Sequence, residues 1–284
     1  MQTRERTIGV VLILLALALT GGATAYVFAN LQPELTLDAD RCPPQPRGTT
    51  IVGADHTDLW PPTEQERIRK SVLAIAERMP KHERLQLHII TGRPEETNAP
   101  WKGFQKCKPA DPSSVNAAHE NERFVREEYE RDFLKPLELV LPELAKGRPA
   151  THSPLLEAIE ILMWSPHFRA DVPARTLAIF SDFLSTIPLR DPCRALASNI
   201  GTRLKGHDWR GVRVILEYLR NPRDAARQGP HHLHLWAHLF YLLGASQVFD
   251  GTTLIENRAA PCRSPITTAQ SPRAPRHVPP QRNR

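Results

Sequence analysis

Beyond residue 30, short apolar runs alternate with longer segments in which apolar residues recur every three or four positions. The short runs predict buried strands, and the periodic segments predict amphipathic helices. In the first periodic segment, Ile68, Val72 and Ile75 share one face of a helix. The predicted strands are 50–54, 85–90, 175–181 and 212–218, and the predicted helices are 63–79, 119–137, 153–162, 193–203 and 231–243.

Strands that alternate with helices predict an α/β fold with a doubly wound, mainly parallel sheet and helices on both faces. Two helix starts carry local signals. Thr63 and Glu66 have the spacing of a capping box. Ser153 is expected to be an N-cap, with Pro154 at the first helical position.

The amino end carries a long stretch without charged residues, Ile8–Ala29. About 20 apolar residues are enough to cross a hydrocarbon core as a helix. Arg4 and Arg6 precede the stretch and the next basic residue is Arg41, so the positive-inside rule predicts that the body is exported. We therefore expect a single-pass anchor in the inner (plasma) membrane. A cleaved signal peptide is the alternative, because 23–25 has the small-x-small form that a peptidase accepts.

The carboxyl end differs from the rest in composition. Beyond Glu256 the chain has six arginines and no acidic residue, and proline is frequent. This predicts a disordered, cationic tail. Because the net charge of +6 can be traced to the tail, no specific nucleic acid is expected as a partner. An anionic membrane surface or cell-wall polymer remains open, and so does a solvated tail without a partner.

These features predict five consecutive parts of the chain. Each is inferred from the apolar stretch, the strand–helix alternation or the tail composition described above. The parts are a cytoplasmic end (1–7), a membrane anchor (8–29), a linker (30–48), a globular domain (49–250) and the tail (257–284).

Three polar clusters lie beside the predicted strands. Asp55 and Thr57 follow the first strand, Ser153 precedes a helix, and Asp182 follows a strand that ends at Ser181. In an open parallel sheet, the loops at the carboxyl ends of strands converge on one crevice where ligands bind. Carboxylate and hydroxyl oxygens there suit Mg²⁺ or a similar divalent cation. Each cluster taken alone is also explained as a turn or a helix cap.

The order of the clusters resembles the von Willebrand factor A-like (VWA) domain with its metal-ion-dependent adhesion site. That family has Asp-x-Ser-x-Ser after the first strand, then a Thr before a central helix, and an Asp after a later strand. Asp55 and Thr57 match the first two positions of that motif. Ser153, in Ser-Pro-Leu-x-Glu-Ala-Ile, matches the family's Thr-Pro-Leu-x-Glu-Ala-Leu, and Asp182 matches the last position.

One position departs from the family pattern. Leu59 stands where the third ligand belongs and cannot bind a metal, so Asp58 is the candidate substitute. The resemblance implies a membrane-anchored, periplasmic binding module of bacterial type rather than an enzyme. It further implies that a divalent cation, Mg²⁺ or similar, joins the module to an unidentified envelope protein. The site would be a degenerate form of the adhesion site.

Four cysteines in an oxidising compartment are expected to form disulfide bonds. Three pairings are possible, and the sequence does not choose among them. We favour Cys42–Cys107, because that bond would tie a long polar loop to the entry of the domain. The pairing of Cys193 and Cys262 stays open. No Cys-x-x-Cys is present, so thiolate zinc binding is not expected.

Other chemistries compete with the binding module. A phosphatase of the haloacid dehalogenase type needs a second Asp where Thr57 stands. A serine hydrolase needs Gly-x-Ser-x-Gly, which does not occur. His231, His234 and His238 share a helix face and offer a zinc site, although no His-Glu-x-x-His motif is present. A hydrolase that uses a metal-activated water in the acidic crevice remains the alternative function.

Overall fold

The computed structural model describes residues 2–30, 36–98, 101–112, 121–185, 189–257 and 262. The chain divides into two units, Met1–Asp38 and Ala39–Arg284. The first unit contains the helix α1 (Gln2–Asn30), within which the predicted anchor at 8–29 lies. Counting only the described residues, no helix is long and apolar enough to cross a membrane. The anchor stays a prediction, and the tail lies outside the described residues except for Asn257 and Cys262.

In the described part of the second unit, one sheet contains strands β1 (Gly48–Asp55), β2 (Glu83–Ile90), β3 (Gln105–Cys107), β4 (Arg175–Ser181), β5 (Val212–Tyr218), β6 (Gln247–Asp250) and β7 (Thr253–Leu254). Their order across the sheet is β3-β2-β1-β4-β5-β6-β7. The central strands pair in parallel, whereas β3 and β7 pair antiparallel at the edges. The predicted α/β fold with a mainly parallel sheet is therefore confirmed. Three short strands, β3, β6 and β7, were not predicted.

Helices cover both faces of the sheet. One face packs against α2 (Pro62–Arg78) and α4 (Lys135–Leu144), and the other against α5 (Leu155–Met163), α7 (Asn199–Lys205) and α8 (Pro230–Leu243). The other helical segments of the second unit that the structure describes include α3 (Glu122–Tyr129), the π-helical Glu130–Leu134 and α6 (Pro192–Leu196). In β1, Ile51 packs on the α5 side and Val52 on the α2 side. Every residue of β1 is buried, as expected for a strand covered on both faces.

The strand order places a crevice between β1 and β4. From β1 the chain crosses to β2 on one side, and it later returns to β4 on the other side. Where two such connections diverge, the carboxyl ends of the strands leave a space that ligands use in open α/β sheets. Asp55 ends β1 and Ser181 ends β4, so two of the predicted polar clusters flank this space.

Both predicted helix caps were wrong. α2 begins at Pro62 with Pro61 at the N-cap position and no side-chain cap, since proline is already suited to the first helical turn. The capping box of Thr63 and Glu66 therefore does not form. α5 begins at Leu155 with Pro154 at the N-cap position, also without a side-chain cap. The Ser153 hydroxyl instead approaches the carboxylate that lies at the end of β1.

Two other predicted helices differ at their boundaries. α3 begins at Glu122, because the Asn121 side chain accepts a hydrogen bond from the amide of Arg123 and caps the helix there, and the predicted start near 119 lies outside the described residues. The segment predicted as one helix over 193–203 is divided into α6 and α7. Ser198 starts the second of them by accepting from the amide of Gly201.

Two disulfide bonds are present among the described residues. Cys42–Cys107, the pairing favoured on the sequence, joins the segment before β1 to the edge strand β3, and both cysteines are buried. Cys193–Cys262 joins α6 to a residue of the carboxyl-terminal segment. The first bond and the Cys107 amide, which donates to the Asp40 carbonyl oxygen, hold the entry of the domain against the sheet edge.

The loop after β1 is held by backbone hydrogen bonds to the segment that follows α4. The amides of Arg148 and Ala150 donate to the carbonyl oxygens of His56 and Thr57, at 2.8 and 2.9 Å. Gly147 lies in this segment with φ at +66°, a conformation that L side chains rarely adopt. The approach of the two backbones is thus part of what positions the first polar cluster.

We predict that Gly147→Ala lowers the free energy of unfolding by about 3 kcal/mol or more, through steric overlap added to backbone strain. A Cβ at this position would lie 1.9 Å from the carbonyl oxygen of Asp58. Gly103→Ala is the matched control, because Gly103 has φ at +68° but open space around it. The control should cost about 1–2 kcal/mol. Equal losses in urea unfolding would show that the backbone contact is unimportant.

Candidate functional site

The Asp55 carboxylate is the centre of a hydrogen-bonded cluster at the carboxyl edge of the sheet, and Asp55 is only 1% exposed. The backbone amide and hydroxyl of Thr57 donate to Oδ1 at 2.9 and 2.6 Å. The Ser181 hydroxyl donates to Oδ2 at 2.6 Å, and the Ser153 hydroxyl makes a longer contact with the same oxygen at 3.5 Å. Hydroxyl groups from three separate segments thus converge on one buried carboxylate.

The turn after β4 aims Ser181 at this carboxylate. Phe183, two residues later, has φ at 59°, which is uncommon for a bulky residue. Its buried ring stacks on Tyr218 and contacts Trp236, with centroids 5.9 and 5.3 Å apart. The Trp236 indole also donates to the Phe183 carbonyl oxygen at 3.1 Å. This packing holds the strained turn in place, as is often seen beside functional sites.

Asp182 is buried beside the cluster and is held from two directions. Its Oδ1 accepts from the Leu184 amide at 2.9 Å, and its Oδ2 accepts from the Asn221 side chain at 2.8 Å. The Gln228 side chain in turn accepts from the backbone amide of Asn221 at 2.8 Å and donates to the Leu219 carbonyl oxygen at 2.7 Å. The loop after β5 is therefore fastened to the end of β4 through Asp182.

Three acidic side chains of the crevice, Asp55, Asp58 and Asp182, have a pKa above the usual value. Burial is the largest cause of the rise in each case. Hydrogen bonds from Ser181 and Thr57 oppose this rise in the pKa of Asp55. The charges also repel one another, since Asp182 raises the pKa of Asp58 and Asp55 raises that of Asp182. The crevice thus concentrates negative charge that protein groups compensate only in part.

Asp58, the predicted substitute ligand, and Leu59, which departs from the family pattern, both lie at the rim of the crevice. Asp58 is half-buried, and a hydrogen bond with Asn221 lowers its pKa against the larger effect of burial. Leu59 points outward with 59% of its surface exposed. Because Ser153 and Asp58 are the half-buried members of the cluster, solvent reaches the crevice from their side.

Three residues of this arrangement were not assigned to the site from the sequence: Ser181, Asn221 and Gln228. Ser181 had a usable signal, because a hydroxyl directly before Asp182 at a strand end points into the same crevice. The two amides follow no pattern along the chain. Only the packing of the loop after β5 against β4 brings them to Asp182.

The oxygen atoms of the cluster are of the kind that bind a hard divalent cation. They are carboxylate and hydroxyl oxygens from Asp55, Thr57, Ser153 and Ser181, with Asp182 beside them, and they suit Mg²⁺ better than a soft metal. The His56 ring does not join them, because its Nε2 faces the Leu144 carbonyl oxygen.

A second metal hypothesis finds no support. Within the described ranges, no group of three or more His, Cys, Asp or Glu side chains is arranged to hold a metal ion. The face of α8 with His231, His234 and His238 therefore offers no zinc site there. The Asp55 cluster differs from such a group, because most of the oxygen atoms that could bind a metal there belong to hydroxyl groups.

No protein-family model and no curated protein matches the chain in sequence.

We predict that Asp182→Asn removes part of the pH dependence of the melting temperature, measured in a chelator. A raised pKa means that the ionised carboxylate is less favourable in the folded than in the unfolded chain, so the native chain should gain stability as the pH falls through the raised pKa of Asp182. Asparagine does not titrate there, and because it accepts at one atom only it loses a hydrogen bond from Leu184 or Asn221 at every pH. Differential scanning fluorimetry measures both effects.

Asp171→Asn is the control for this comparison. Asp171 is exposed and lies away from the crevice, in a pair with the exposed Arg169. Its replacement should change stability by no more than about 0.5 kcal/mol at any pH. The same pH dependence for Asp182→Asn and the native chain would mean that the charge of Asp182 does not destabilise the crevice.

Proposed function

We propose that the chain is a membrane-anchored, extracytoplasmic binding module of the VWA type. It captures an envelope protein through a divalent cation held by Asp55, Thr57, Ser153 and Asp182. The convergence of hydroxyl groups from three segments on the buried Asp55 carboxylate carries this proposal. The crevice between β1 and β4, where open α/β sheets bind ligands, supports it as well.

The cation supplies a positive charge that a carboxylate of the partner protein can approach. The residues of the chain hold it, and Asp58 contributes charge where Leu59 leaves the family pattern incomplete. Asn221 holds the Asp182 carboxylate by donating a hydrogen bond to it. The proposal assigns binding rather than catalysis, because hard oxygen ligands are what a cation-mediated binding site needs.

The proposed location is the periplasmic side of the inner membrane. The uncharged stretch 8–29 and the arginines that precede it support an anchor with its amino end in the cytoplasm. The disulfide bonds Cys42–Cys107 and Cys193–Cys262 support an oxidising compartment for the body.

A metal-dependent hydrolase is the second candidate. The raised pKa of three neighbouring carboxylates favours it, because perturbed groups in a cleft often take part in proton transfer. In that case Asp55, Thr57, Ser153 and Asp182 would hold the cation, and it would supply Lewis-acid chemistry for hydrolysis. Turnover of substrate by the native chain, lost on chelation, would distinguish this function from simple capture.

We predict that Asp55→Ala weakens Mg²⁺ binding by about 100-fold or more, because it removes the carboxylate on which the other oxygens converge. Titration calorimetry of the native chain and the variant measures this loss. Capture of an envelope protein in the presence of Mg²⁺ should fail for the variant and for the native chain in a chelator. Asp171→Ala should bind and capture as the native chain does.

The same titration has an expected pH dependence. Protons compete with the cation for Asp55 and Asp182, so the Mg²⁺ affinity should fall as the pH is lowered through their raised pKa values. Equal Mg²⁺ affinity for the native chain and Asp55→Ala would refute the cation site.

We predict that a reporter active only outside the cytoplasm is active when fused after Arg47, because the stretch 8–29 directs export of the downstream chain. The fusion should fractionate with membranes. Replacing Arg4 and Arg6 by glutamate is the control, because it removes the charge bias and should lower reporter activity. Recovery of a soluble chain that begins at Tyr26 would replace the anchor with a cleaved signal peptide.

A further inference from the structure

A pocket of about 370 Å³ opens beside the candidate site, between the loop after β1 and the loop after β5. Its apolar lining includes Leu59, Pro61, Pro62 and Pro222. Pockets of this size that are mostly apolar, with a few fixed polar groups, are typical of ligand sites. Asp58 and Arg223 also line it, so the pocket is suited to an apolar group that lies beside charged ones.

The walls of the pocket are tied to the candidate site. The Trp60 indole, which also lines the pocket, donates to the Asp55 carbonyl oxygen at 2.8 Å. On the opposite wall, Asn221 donates to the Asp182 carboxylate. A ligand in the pocket would consequently lie next to the Asp55 cluster, within reach of the adjoining residue in an extended peptide.

The pocket is also largely preformed. Two prolines restrict the backbone of one wall, and the Gln65 side chain donates to the Trp60 carbonyl oxygen at 2.7 Å. Trp60 itself is buried at 2% exposure. A preformed pocket loses little conformational entropy when it is filled, so even one side chain can gain affinity there.

Leu59, the residue that departs from the VWA pattern, is also part of the pocket. Its side chain is 59% exposed although it is large and apolar, and it forms part of the wall. At the position where the VWA pattern has a hydroxyl ligand, this chain therefore presents an apolar contact surface. Burial of that surface by a partner would be favourable.

The charge around the pocket favours an acidic neighbour. Arg223 lines the pocket and is exposed, and its charge lowers the pKa of Asp58, which lines the pocket as well. Once a divalent cation has offset the carboxylates of the crevice, this guanidinium leaves the rim positive. The tail of the chain itself, with six arginines and no acid beyond Glu256, is a poor occupant for such a rim.

We propose that the pocket is a specificity subsite for an aliphatic side chain that directly adjoins the carboxylate bound at the cation. The partner then presents an extended segment in which a residue such as leucine precedes an acidic residue. This inference rests on the proposed function, which places a carboxylate of the partner at the cation. It adds recognition of the neighbouring aliphatic side chain, which the cation alone does not provide.

Three labelled peptides test the subsite, alike except for central residues Leu-Asp, Ala-Asp or Leu-Asn between glycine and serine flanks. Fluorescence polarisation is measured with the full chain in detergent, in Mg²⁺ and in a chelator. In Mg²⁺, the Ala-Asp peptide should bind about tenfold more weakly than the Leu-Asp peptide, because it leaves the pocket unfilled. The Leu-Asn peptide and the chelator should each abolish binding.

The variant Leu59→Ser isolates the wall of the pocket. It should lower the preference for Leu-Asp over Ala-Asp at least about threefold, because it removes apolar contact area. Leu139→Ser is the control. Leu139 is 81% exposed on α4 and does not line the pocket, so the preference should stay unchanged.

The outcomes separate the subsite from the cation site. Equal binding of the Leu-Asp and Ala-Asp peptides, with binding still dependent on Mg²⁺, overturns the subsite and leaves the proposed function standing. Failure of all three peptides to bind a chain that binds Mg²⁺ in calorimetry overturns it too. A preference for leucine that persists in chelator and in Asp55→Ala supports the subsite and overturns the role of the cation.

Discussion

The buried carboxylate of Asp55 is the constraint around which the carboxyl edge of the sheet is organised. A carboxylate removed from water loses several kcal/mol of solvation unless hydrogen bonds or an opposite charge replace it. Thr57, Ser153 and Ser181 supply the hydrogen bonds from three segments. Burial still raises the pKa of Asp55, so the compensation is incomplete. A cation would complete it, which is why the same arrangement suggests a binding site.

The surrounding backbone keeps this cluster in place at some cost in strain. The loop after β1 is pinned by a segment that approaches too closely for any side chain at Gly147. The turn after β4 holds Phe183 in a left-handed conformation under the rings of Tyr218 and Trp236. Preorganised loops of this kind keep donor atoms in position before a ligand arrives, so less entropy is lost on binding.

The proposed binding surface combines two kinds of recognition at one edge. In the proposal, the Asp55 cluster selects a charge, and the neighbouring pocket selects the shape of the adjoining residue. Asn221 belongs to both, because it orients Asp182 and also lines the pocket. Leu59 weakens the first element and contributes to the second, so a chain that departs from the metal-site pattern can still bind selectively. Specificity of this type comes from differences between ligands more than from total affinity.

Local sequence signals were enough to predict the α/β class, the central strands and the position of Asp55, Thr57 and Asp182 at strand ends. Hydrophobic periodicity acts over a few residues, and buried strands and amphipathic helices express it directly. The short strands β3, β6 and β7 were missed because segments of two to four residues leave little periodic signal. The partners of the polar side chains depended on the tertiary structure. Ser153 contacts Asp55 rather than capping a helix, and Asn221 reaches Asp182, because the order β2-β1-β4-β5 brings distant segments to one crevice.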